Sequence, residues 1–266
     1  MNIINKTYYN LEQFSKNFKD AKPYPHLVLD NFLIDSFFKN LNLENYQLSQ
    51  NNGRSFNTNL EKNKWTSKNE ILSKNLKLII DELNKKEFLE NLYKLTGITD
   101  LFSTTEGNTS LANYHEMYES GFLGTHVDHS SEPSTGLPHV LNIILYLSKD
   151  WQSSWGGSTI LADKNGRKIE KLIDFVPNRA VIFLHTPFSF HGVTEIKKSP
   201  IKRSTIYVDY YSKNKDPYNH FNLVFKKVWF KHPTTFILPN LKEYFQIKNQ
   251  NYLKKMIKHK VKAFFS

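Results

Sequence analysis

Three residues of this chain, His126, Asp128 and His191, have the types and the spacing that metal chemistry requires. His126 and Asp128 are two residues apart, so on a β-strand both side chains leave the same face, and a histidine from another strand can approach them. Two imidazoles and one carboxylate on one face of a metal leave the opposite positions open, which suits Fe(II) that binds a cosubstrate and O₂. The pattern His-x-Asp is common, however, so its interpretation depends on the segments that follow it.

Several recognisable segments follow in a set order. They are Tyr-Leu-Ser-Lys-Asp-Trp at 146–151, Trp-Gly-Gly at 155–157, an apolar run at 180–184, His-Gly-Val at 191–193 and Arg-Ser-Thr at 203–205. In this order they resemble the Fe(II)/2-oxoglutarate-dependent dioxygenases, and within them the prolyl-hydroxylase-like branch. The resemblance covers residues 110–212, which is under half of the chain.

The resemblance implies a metal site in which His126, Asp128 and His191 bind Fe(II). His185 is an alternative to His191 as the third ligand. It directly follows an apolar strand and can bond to backbone at the end of that strand. His191 stands in His-Gly-Val, as the distal ligand of the family does, and Gly192 lets the backbone approach the metal closely. We therefore prefer His191.

The same resemblance makes Arg203 the anchor for the distal carboxylate of the cosubstrate, 2-oxoglutarate. Arginine suits this role because its planar guanidinium binds a carboxylate through two parallel, charge-assisted hydrogen bonds. On a strand over 203–211, Arg203, Thr205 and Tyr207 share one face, so Thr205 is predicted to join Arg203 and Tyr207 to line the pocket. Lys202 is an alternative anchor, but it points to the other face when Arg203 points inward.

Three further side chains are predicted to bind the cosubstrate. Tyr146 matches the family's tyrosine whose hydroxyl donates to the same carboxylate, and Asn142 shares its strand parity, so Asn142 is placed at the other end of the cosubstrate. Tyr114 resembles the active-site tyrosine upstream of His-x-Asp, with Tyr118 as its alternative. The segment 114–121 is slightly longer than in the family and lacks its Pro-Gly turn, which puts a prolyl substrate in doubt.

Gly156 and Gly157 are predicted to form a turn with positive φ or close backbone contacts, and Thr159 beyond them is predicted to line the pocket.

With iron, 2-oxoglutarate and O₂ bound, the resemblance implies hydroxylation of an unactivated C–H bond with release of succinate and CO₂. Hydroxylation is expected because Asp128 is a carboxylate, whereas the family's halogenases have a small residue there.

The substrate is not evident from these motifs. We expect a small molecule, a glycan, or an amino-acid or peptidyl group, facing the loop at 121–137. One alternative is a nucleic-acid-modifying oxygenase that flips a base into the pocket, which would need a basic stripe leading to the iron. Another is a jelly-roll binding protein that keeps the iron ligands without turnover.

The composition supports a folded protein whose metal ligands are not thiolates. Of the 266 residues, 39% are hydrophobic and 14% aromatic, enough for a packed core. The lack of cysteine excludes a disulfide scaffold and thiolate metal sites. Neither a signal-peptide core nor an apolar stretch near the roughly 20 residues of a membrane span is found, so a cytoplasmic location is expected.

The elements that position these motifs can be outlined from periodicity. Residues 10–19 and 35–46 look helical on either side of an extended segment at 23–33, and the apolar spacing over 67–95 predicts two helices packed on a sheet. From 110 to 212, short apolar runs separated by Gly, Pro, Asn and Asp predict strands and turns.

This order predicts a mainly β fold with α-helices, in which a double-stranded β-helix (jelly roll) core at about 105–213 is buttressed by N-terminal helices. One domain is expected to span residues 1–213, followed by a basic helical extension at 214–266. The net charge is +11, and beyond residue 219 ten lysines face one acid, Glu243. Residues 251–265 are interpreted as an amphipathic helix that packs on the jelly roll, with an anionic membrane, a partner protein or nucleic acid as alternative contacts.

Overall fold

The computed structural model of the chain describes residues 3–43, 46–67, 72–103, 114–214, 217–218, 221 and 234–237. Four α-helices in these ranges precede the long strands. They are α1 (Ser15–Asp20), α2 (Asp35–Lys39), α3 (Lys74–Asn84) and α4 (Lys86–Thr96).

Helices α3 and α4 confirm the two helices predicted over 67–95. Ser73 caps the start of α3, where its side chain accepts a hydrogen bond from the backbone N–H of Leu76. Helix α4 ends at Gly97, whose φ of 79° gives the left-handed cap that glycine adopts readily. Each helix buries the apolar residues that are spaced three and four apart, and these are Leu76, Ile79, Ile80, Leu83, Phe88, Leu92 and Leu95.

Helix α2 is shorter than predicted, because it ends at Lys39 and does not continue to residue 46. Asparagine occurs twice in the next three residues, and its side chain favours turns over helix interiors. Past this point the structure describes no helix before α3, and Leu41, Leu43 and Leu48 reach the core from an irregular segment.

Twelve strands form one antiparallel sheet in the described part of the chain. They are β1 (His26–Leu29), β2 (Gly53–Phe56), β3 (Glu61–Ser67), β4 (Leu101–Phe102), β5 (Tyr114–Val127), β6 (His139–Tyr146), β7 (Thr159–Ala162), β8 (Ile169–Ile173), β9 (Ala180–Leu184), β10 (His191–Val193), β11 (Arg203–Ser212) and β12 (Thr235–Phe236). The main path through the sheet runs β1-β9-β6-β11-β5-β10-β7-β8. Most neighbours along this path are distant in sequence, as in a jelly roll, and the sheet confirms the predicted fold class.

Strand β5 organises the sheet because four other strands pair with it. Along one edge it pairs first with β11 and then with β10, and along the other edge first with β3 and then with β12. The β2–β3 hairpin was not predicted, because its two strands are largely polar and only partly buried, so they lack a clear alternation of apolar residues.

The two faces of the sheet carry different layers. The larger apolar layer includes the helices together with Ile143 of β6 and Val208 of β11. The smaller layer lies on the opposite face and includes Tyr146, Phe175 and Phe183. Because side chains alternate along a strand, Asn142 and Tyr146 of β6 and Arg203, Thr205, Tyr207 and Asp209 of β11 all point to this second face. The face therefore combines a small apolar layer with a row of polar side chains.

The described part of the predicted C-terminal extension is not helical. Residues 235–236 form β12, which pairs with the end of β5, and the backbone N–H of Ile237 donates to the carbonyl of Thr125 at 3.1 Å. The local sequence Thr-Thr-Phe-Ile is rich in β-branched and aromatic residues, which favour strands. The segment 251–265, predicted to be an amphipathic helix, lies outside the described residues. Among the helices that the structure describes, none is long and apolar enough to cross a membrane.

Candidate active site

The two histidines and the aspartate singled out in the sequence meet where β5 pairs with β10. His126 and His191 lie opposite each other in the register of these strands, and Asp128 directly follows β5. The Nε2 atom of His126 is 3.3 Å from Oδ1 of Asp128, and the Nε2 atom of His191 is 3.2 Å from Oδ2. All three side chains are buried. Ligand atoms this close together can contact a single ion.

Backbone carbonyls fix the orientation of both imidazoles. Nδ1 of His126 lies 2.8 Å from the carbonyl oxygen of Gly124, and Nδ1 of His191 lies 3.0 Å from that of Ser189. A carbonyl oxygen only accepts, so each Nδ1 carries a proton, and Nε2 is the nitrogen of each ring that can give a lone pair to a metal beside Asp128. A metal-binding histidine needs this tautomer, so the donor set fits an iron ion in its chemistry as well as in its geometry.

Two neutral donors hold one oxygen of the Asp128 carboxylate. Oδ2 accepts hydrogen bonds from Nδ2 of Asn142 and from the hydroxyl of Tyr207, each at 2.9 Å. Burial alone would raise the pKa of Asp128, but the imidazoles of His191 and His126 hold that pKa well below its usual value. Asp128 is therefore ionised, and its Oδ1 accepts from neither of these two donors.

Arg203 lies about as deep in the interior as the histidines do. Its Nε donates to the carbonyl of Gly157 at 2.8 Å, and its guanidinium carbon is 4.9 Å from the ring centre of Phe175. Its Nη2 is buried and meets no hydrogen-bond acceptor among the described residues. Burial lowers the pKa of Arg203 to about 10, which still leaves it charged at neutral pH. A buried cation with a free donor fits a carboxylate, the group that 2-oxoglutarate presents at each end.

Three hydroxyl groups accompany this arginine. The hydroxyls of Tyr146 and Thr159 share a hydrogen bond of 2.5 Å, and the ring of Tyr146 lies 5.4 Å from the guanidinium carbon of Arg203. Thr205 is opposite Tyr146 in the register of β11 and β6. The structure thus places Tyr146 and Thr205, which the sequence assigned to this end of the cosubstrate, on the face of Arg203. Thr159, predicted to line the pocket, joins them through Tyr146, and Tyr207 completes the row toward Asp128.

Gly157 supplies the carbonyl that receives Arg203. Gly156 and Gly157 have φ values of 79° and 72°, as predicted for this turn. A Cβ atom on Gly157 would lie 3.1 Å from Cδ of Arg203 and 3.1 Å from the ring of Trp151. The arginine therefore packs directly on the backbone, and a larger residue at 157 would displace it.

Tyr114 does not reach this face, which corrects the expectation that it binds the cosubstrate. It lies opposite Ile206 in the sheet, on the side of the larger apolar layer. Its hydroxyl donates to Glu116 Oε1 at 3.0 Å, and the hydroxyl of Tyr118 and the ammonium of Lys202 donate to the same carboxylate. The alternatives Tyr118 and Lys202 are therefore also turned away from the iron ligands. The alternation along β5 places His115 and Met117 on the site face instead.

Asn142 and His185 both contact Asp128 and do not belong to the three proposed ligands. Asn142, predicted to bind the cosubstrate, has its amide nitrogen on Asp128. His185 lies outside the group of ligand atoms, with Nδ1 3.1 Å from the carbonyl oxygen of His139 and Nε2 3.3 Å from that of Asp128. Its ring stacks on that of His139 with centroids 4.0 Å apart.

A second group of ligand-type side chains was not singled out in the sequence. His129, His139 and Asp209 lie together, with Nε2 of His139 3.1 Å from Asp209 Oδ1 and Nε2 of His129 3.6 Å from Oδ2. Burial alone would lower the pKa of His139, but the charge of Asp209 raises it to about 9. The available signal for Asp209 was the parity of β11, because residues 203 and 209 share a face of the strand. The position of His139 depends on a bulge in β6 that has no signature in the sequence.

Comparisons with known proteins support this fold. Residues 110–210 match the 2OG-Fe(II) oxygenase superfamily. A prolyl-4-hydroxylase from Pseudomonas putida superposes with a TM-score of 0.52 at 13% identity, covering 76% of this chain and 99% of its own. A prolyl hydroxylase from Trichoplax adhaerens, in complex with a peptide fragment of the hypoxia inducible factor oxygen degradation domain, superposes with a TM-score of 0.52 at 16% identity, covering 78% of this chain and 92% of its own. No curated protein sequence matches the chain.

Over residues 110–210 the chain therefore matches the 2OG-Fe(II) oxygenase superfamily, and it has the fold of the prolyl hydroxylases. It is a 2-oxoglutarate-dependent dioxygenase, with Fe(II) and 2-oxoglutarate as cofactor and cosubstrate and O₂ as the oxidant that the family implies.

Proposed function

We propose that His126, Asp128 and His191 bind the iron, and that Arg203 binds the distal carboxylate of 2-oxoglutarate to support hydroxylation of a C–H bond. The observation that carries the proposal is the unpaired, buried Nη2 of Arg203 on the same face as the three ligands. A buried charged donor without an acceptor is costly unless a ligand completes it. The iron ligands and this donor thus form the two ends of one ligand site.

The residues between the two ends have distinct tasks. Tyr146 and Thr159 share one hydrogen bond, and either hydroxyl can turn to donate to a carboxylate beside Arg203. Thr205 adds a third hydroxyl on β11. Phe175 and Phe183 keep water from the buried interior, which strengthens the charged contacts. When bound, iron and 2-oxoglutarate supply the oxidising chemistry: O₂ cleaves the cosubstrate to succinate and CO₂, and one oxygen atom enters the C–H bond of the substrate.

We propose a polar substrate, either a small molecule, a glycan or a peptide. Side chains beside the iron ligands are aromatic and hydrogen-bonding: His115 stacks on Tyr207 at 5.5 Å, and Nε2 of His129 lies 2.9 Å from the hydroxyl of Tyr211. Such groups favour hydroxyl, amide or ring substrates over aliphatic ones. The Trichoplax prolyl hydroxylase is in complex with a peptide, which supports a peptide as one of these substrate classes.

Succinate formation with Fe(II), 2-oxoglutarate and O₂ tests the proposal. Wild-type protein should form succinate, at a low rate without substrate and faster in the presence of the correct compound. The variants His126→Ala, Asp128→Ala and His191→Ala should abolish succinate formation and Co(II) binding while the protein remains folded. His185→Ala is the matched control, because it removes a buried histidine of the same region that is not a ligand, and it should retain Co(II) binding.

Two results would overturn the assignment. Retained Co(II) binding in His191→Ala with loss in His185→Ala would transfer the third ligand to His185. Tight binding of Co(II) and 2-oxoglutarate by wild-type protein, without succinate formation from any of a broad panel of compounds, would favour a binding protein over an oxygenase. A large increase in the rate of succinate formation with single-stranded DNA or RNA, steeply dependent on salt, would indicate that the substrate is nucleic acid and not a polar small molecule, glycan or peptide.

A further inference from the structure

A chain of buried polar contacts connects Asp209 to the proposed metal ligand Asp128. Asp209 Oδ1 is 3.1 Å from Nε2 of His139, that Nε2 also contacts Oδ1 of Asn142, and Nδ2 of Asn142 donates to Asp128 Oδ2 at 2.9 Å. Each of these four residues is at most 8% exposed. Neighbouring strands hold this chain of contacts in place, because Asp209 and Asn142 are opposite each other in the register of β11 and β6.

The direction of every hydrogen bond in this chain of contacts follows from which groups can donate and which can only accept. The carboxylate of Asp128 only accepts, so Asn142 turns its NH₂ group toward Asp128 and its carbonyl oxygen toward His139. Nε2 of His139 must then donate to that oxygen. Nδ1 of His139 is 2.9 Å from the carbonyl oxygen of His129, which also only accepts. Both nitrogens of His139 therefore carry protons, and Asp209 is the counter-ion of this imidazolium.

This arrangement argues against a second metal ion at His129, His139 and Asp209. A metal would need the lone pair of His139 Nε2, which is used for the proton donated to Asn142. Asp209 Oδ1 lies near Nε2 but makes no hydrogen bond, since the N–H is directed at Asn142. The contact between Asp209 and His139 is thus an ion pair that holds the ring in its protonated form.

We propose that Asp209 and His139 are positioning residues, which lock the amide of Asn142 so that the carboxylate of Asp128 offers one oxygen to the metal. With Oδ2 occupied by Asn142 and Tyr207, Oδ1 is the oxygen left for coordination. A carboxylate that binds through one oxygen keeps more coordination positions open for a cosubstrate and O₂. This inference rests on the proposed function, because it requires Asp128 to be a metal ligand.

Titration of the protein with Co(II), by calorimetry and visible absorption, tests the inference without turnover. Wild-type protein should bind one Co(II), and His191→Ala none. If both proteins bind Co(II) equally, the proposed metal site itself is wrong, and the result does not bear on the relay of contacts from Asp209 through His139 and Asn142 to Asp128. Asp209→Asn should bind Co(II) about 10- to 100-fold more weakly, as is typical when a group behind a metal ligand is removed. Its visible spectrum should also change, because loss of the lock permits both oxygens of Asp128 to coordinate.

A double-mutant cycle distinguishes a relay from general destabilisation. In an Asn142→Leu background, Asp209→Asn should weaken Co(II) binding no further, because its effect passes through Asn142. Asn142→Ser and His139→Gln replace these variants if either does not fold. The control Glu116→Gln removes another buried carboxylate on the opposite face of the sheet, so it should lower the melting temperature and leave Co(II) affinity and spectrum unchanged.

Two outcomes would overturn the inference. Folded Asp209→Asn protein with wild-type Co(II) affinity and spectrum, or additive effects in the cycle, would remove the relay. Binding of two Co(II) ions by the wild-type protein, with one lost in Asp209→Asn, would show that His129, His139 and Asp209 form a second metal site instead.

Discussion

Arg203 is the residue whose surroundings are least complete without a bound partner. Its Nε is satisfied by the Gly157 carbonyl and two aromatic rings flank its guanidinium, yet its Nη2 meets no acceptor in the described residues. Removing a charge from water without full compensation costs free energy. The buried charge of Arg203 therefore destabilises the folded protein when no cosubstrate is bound, at the position that the sequence predicted for the cosubstrate anchor. Such a residue is expected to trade stability of the empty protein for affinity.

The variant Arg203→Met tests this trade at the residue scale. Methionine keeps the length and apolar stem of the side chain, so the cosubstrate-free protein should have an equal or higher melting temperature. The rise in melting temperature on adding 2-oxoglutarate should disappear, and its Kd should increase by roughly tenfold or more, because a charged hydrogen bond contributes about 1.5–3 kcal/mol. Thermal melts with and without 2-oxoglutarate measure both effects.

Arg179→Met is the matched control for this experiment. Arg179 donates to both carboxylate oxygens of Asp30, at 2.5 and 3.0 Å, near the surface. Its loss should lower the melting temperature slightly and retain the response to 2-oxoglutarate. If Arg203→Met keeps a wild-type response, another cation anchors the cosubstrate.

At the scale of elements, the pairing of β10 with β5 sets the distance between the two imidazoles. Gly192, between His191 and Val193, has no room for a side chain, since a Cβ there would lie 2.6 Å from the carbonyl oxygen of Leu123. That oxygen belongs to the backbone of β5 and cannot turn aside. The sequence predicted that Gly192 lets the backbone approach the metal, whereas the close approach that the structure shows is to the backbone of β5.

We therefore expect Gly192→Ala to separate β10 from β5 and to weaken Co(II) binding by at least tenfold, together with a stability loss of about 1–3 kcal/mol from overpacking. Gly136→Ala serves as the control. Gly136 has a φ of 70° and open space around it, so alanine should cost about 1–2 kcal/mol of backbone strain without affecting the metal. Similar Co(II) affinities in the two variants would contradict the argument.

The loop between Asp128 and His139 is held by one carboxylate. Oε2 of Glu132 accepts from the backbone N–H and the hydroxyl of both Ser134 and Thr135, at 2.5–2.9 Å. Burial alone would raise the pKa of Glu132, but these hydrogen bonds lower it below the usual 4.5. A lowered pKa in the folded state means that the stabilisation is complete above pH 4.5 and is lost as the pH falls through the folded value.

Glu132→Gln should accordingly be less stable than wild-type protein at pH 7, and the difference in melting temperature should narrow as the pH falls below 4.5. The exposed Glu90→Gln, on helix α4, provides a background slope, because its 3.7 Å pair with Lys86 contributes little. A stability difference that stays constant from pH 7 to pH 3.5 would show that the Glu132 charge does not hold the loop.

The sequence predicted those parts of the site that follow from strand parity or from a local motif. Parity placed Arg203, Thr205 and Tyr207 on one face, and His-x-Asp placed two proposed ligands on one strand end. The assignment of Tyr114, which rested on the family resemblance, was wrong: the left-handed residue Ser120, with φ of 61°, interrupts the regular alternation of β5 between Tyr114 and His126. Parity could not place Asn142 against Asp128, since that contact joins residues across a loop.

At the scale of the whole molecule, the segment beyond residue 213 adds a strand that pairs with the end of β5, which carries His126. Strand β12 pairs Phe236 with His126 and Thr235 with Val127, on the edge of β5 opposite β10. The side chain of Ile237 fills the space at Gly166, where a Cβ would lie 2.6 Å from its Cδ1. Without β12, the N–H and C=O groups on this edge would be unpaired beside the proposed metal site.

Two truncated chains separate this contribution from that of the basic tail. A chain ending at residue 233 lacks β12, so it should melt at a lower temperature and bind Co(II) more weakly, because the strand end holding His126 loses its hydrogen bonds. A chain ending at residue 250 keeps β12 and should bind Co(II) as the full chain does. If the amphipathic stripe at 251–265 packs on the jelly roll as predicted, this chain should melt lower with unchanged salt-dependent binding to DNA and anionic vesicles. An unchanged melting temperature with lost vesicle binding would instead make the tail a membrane contact.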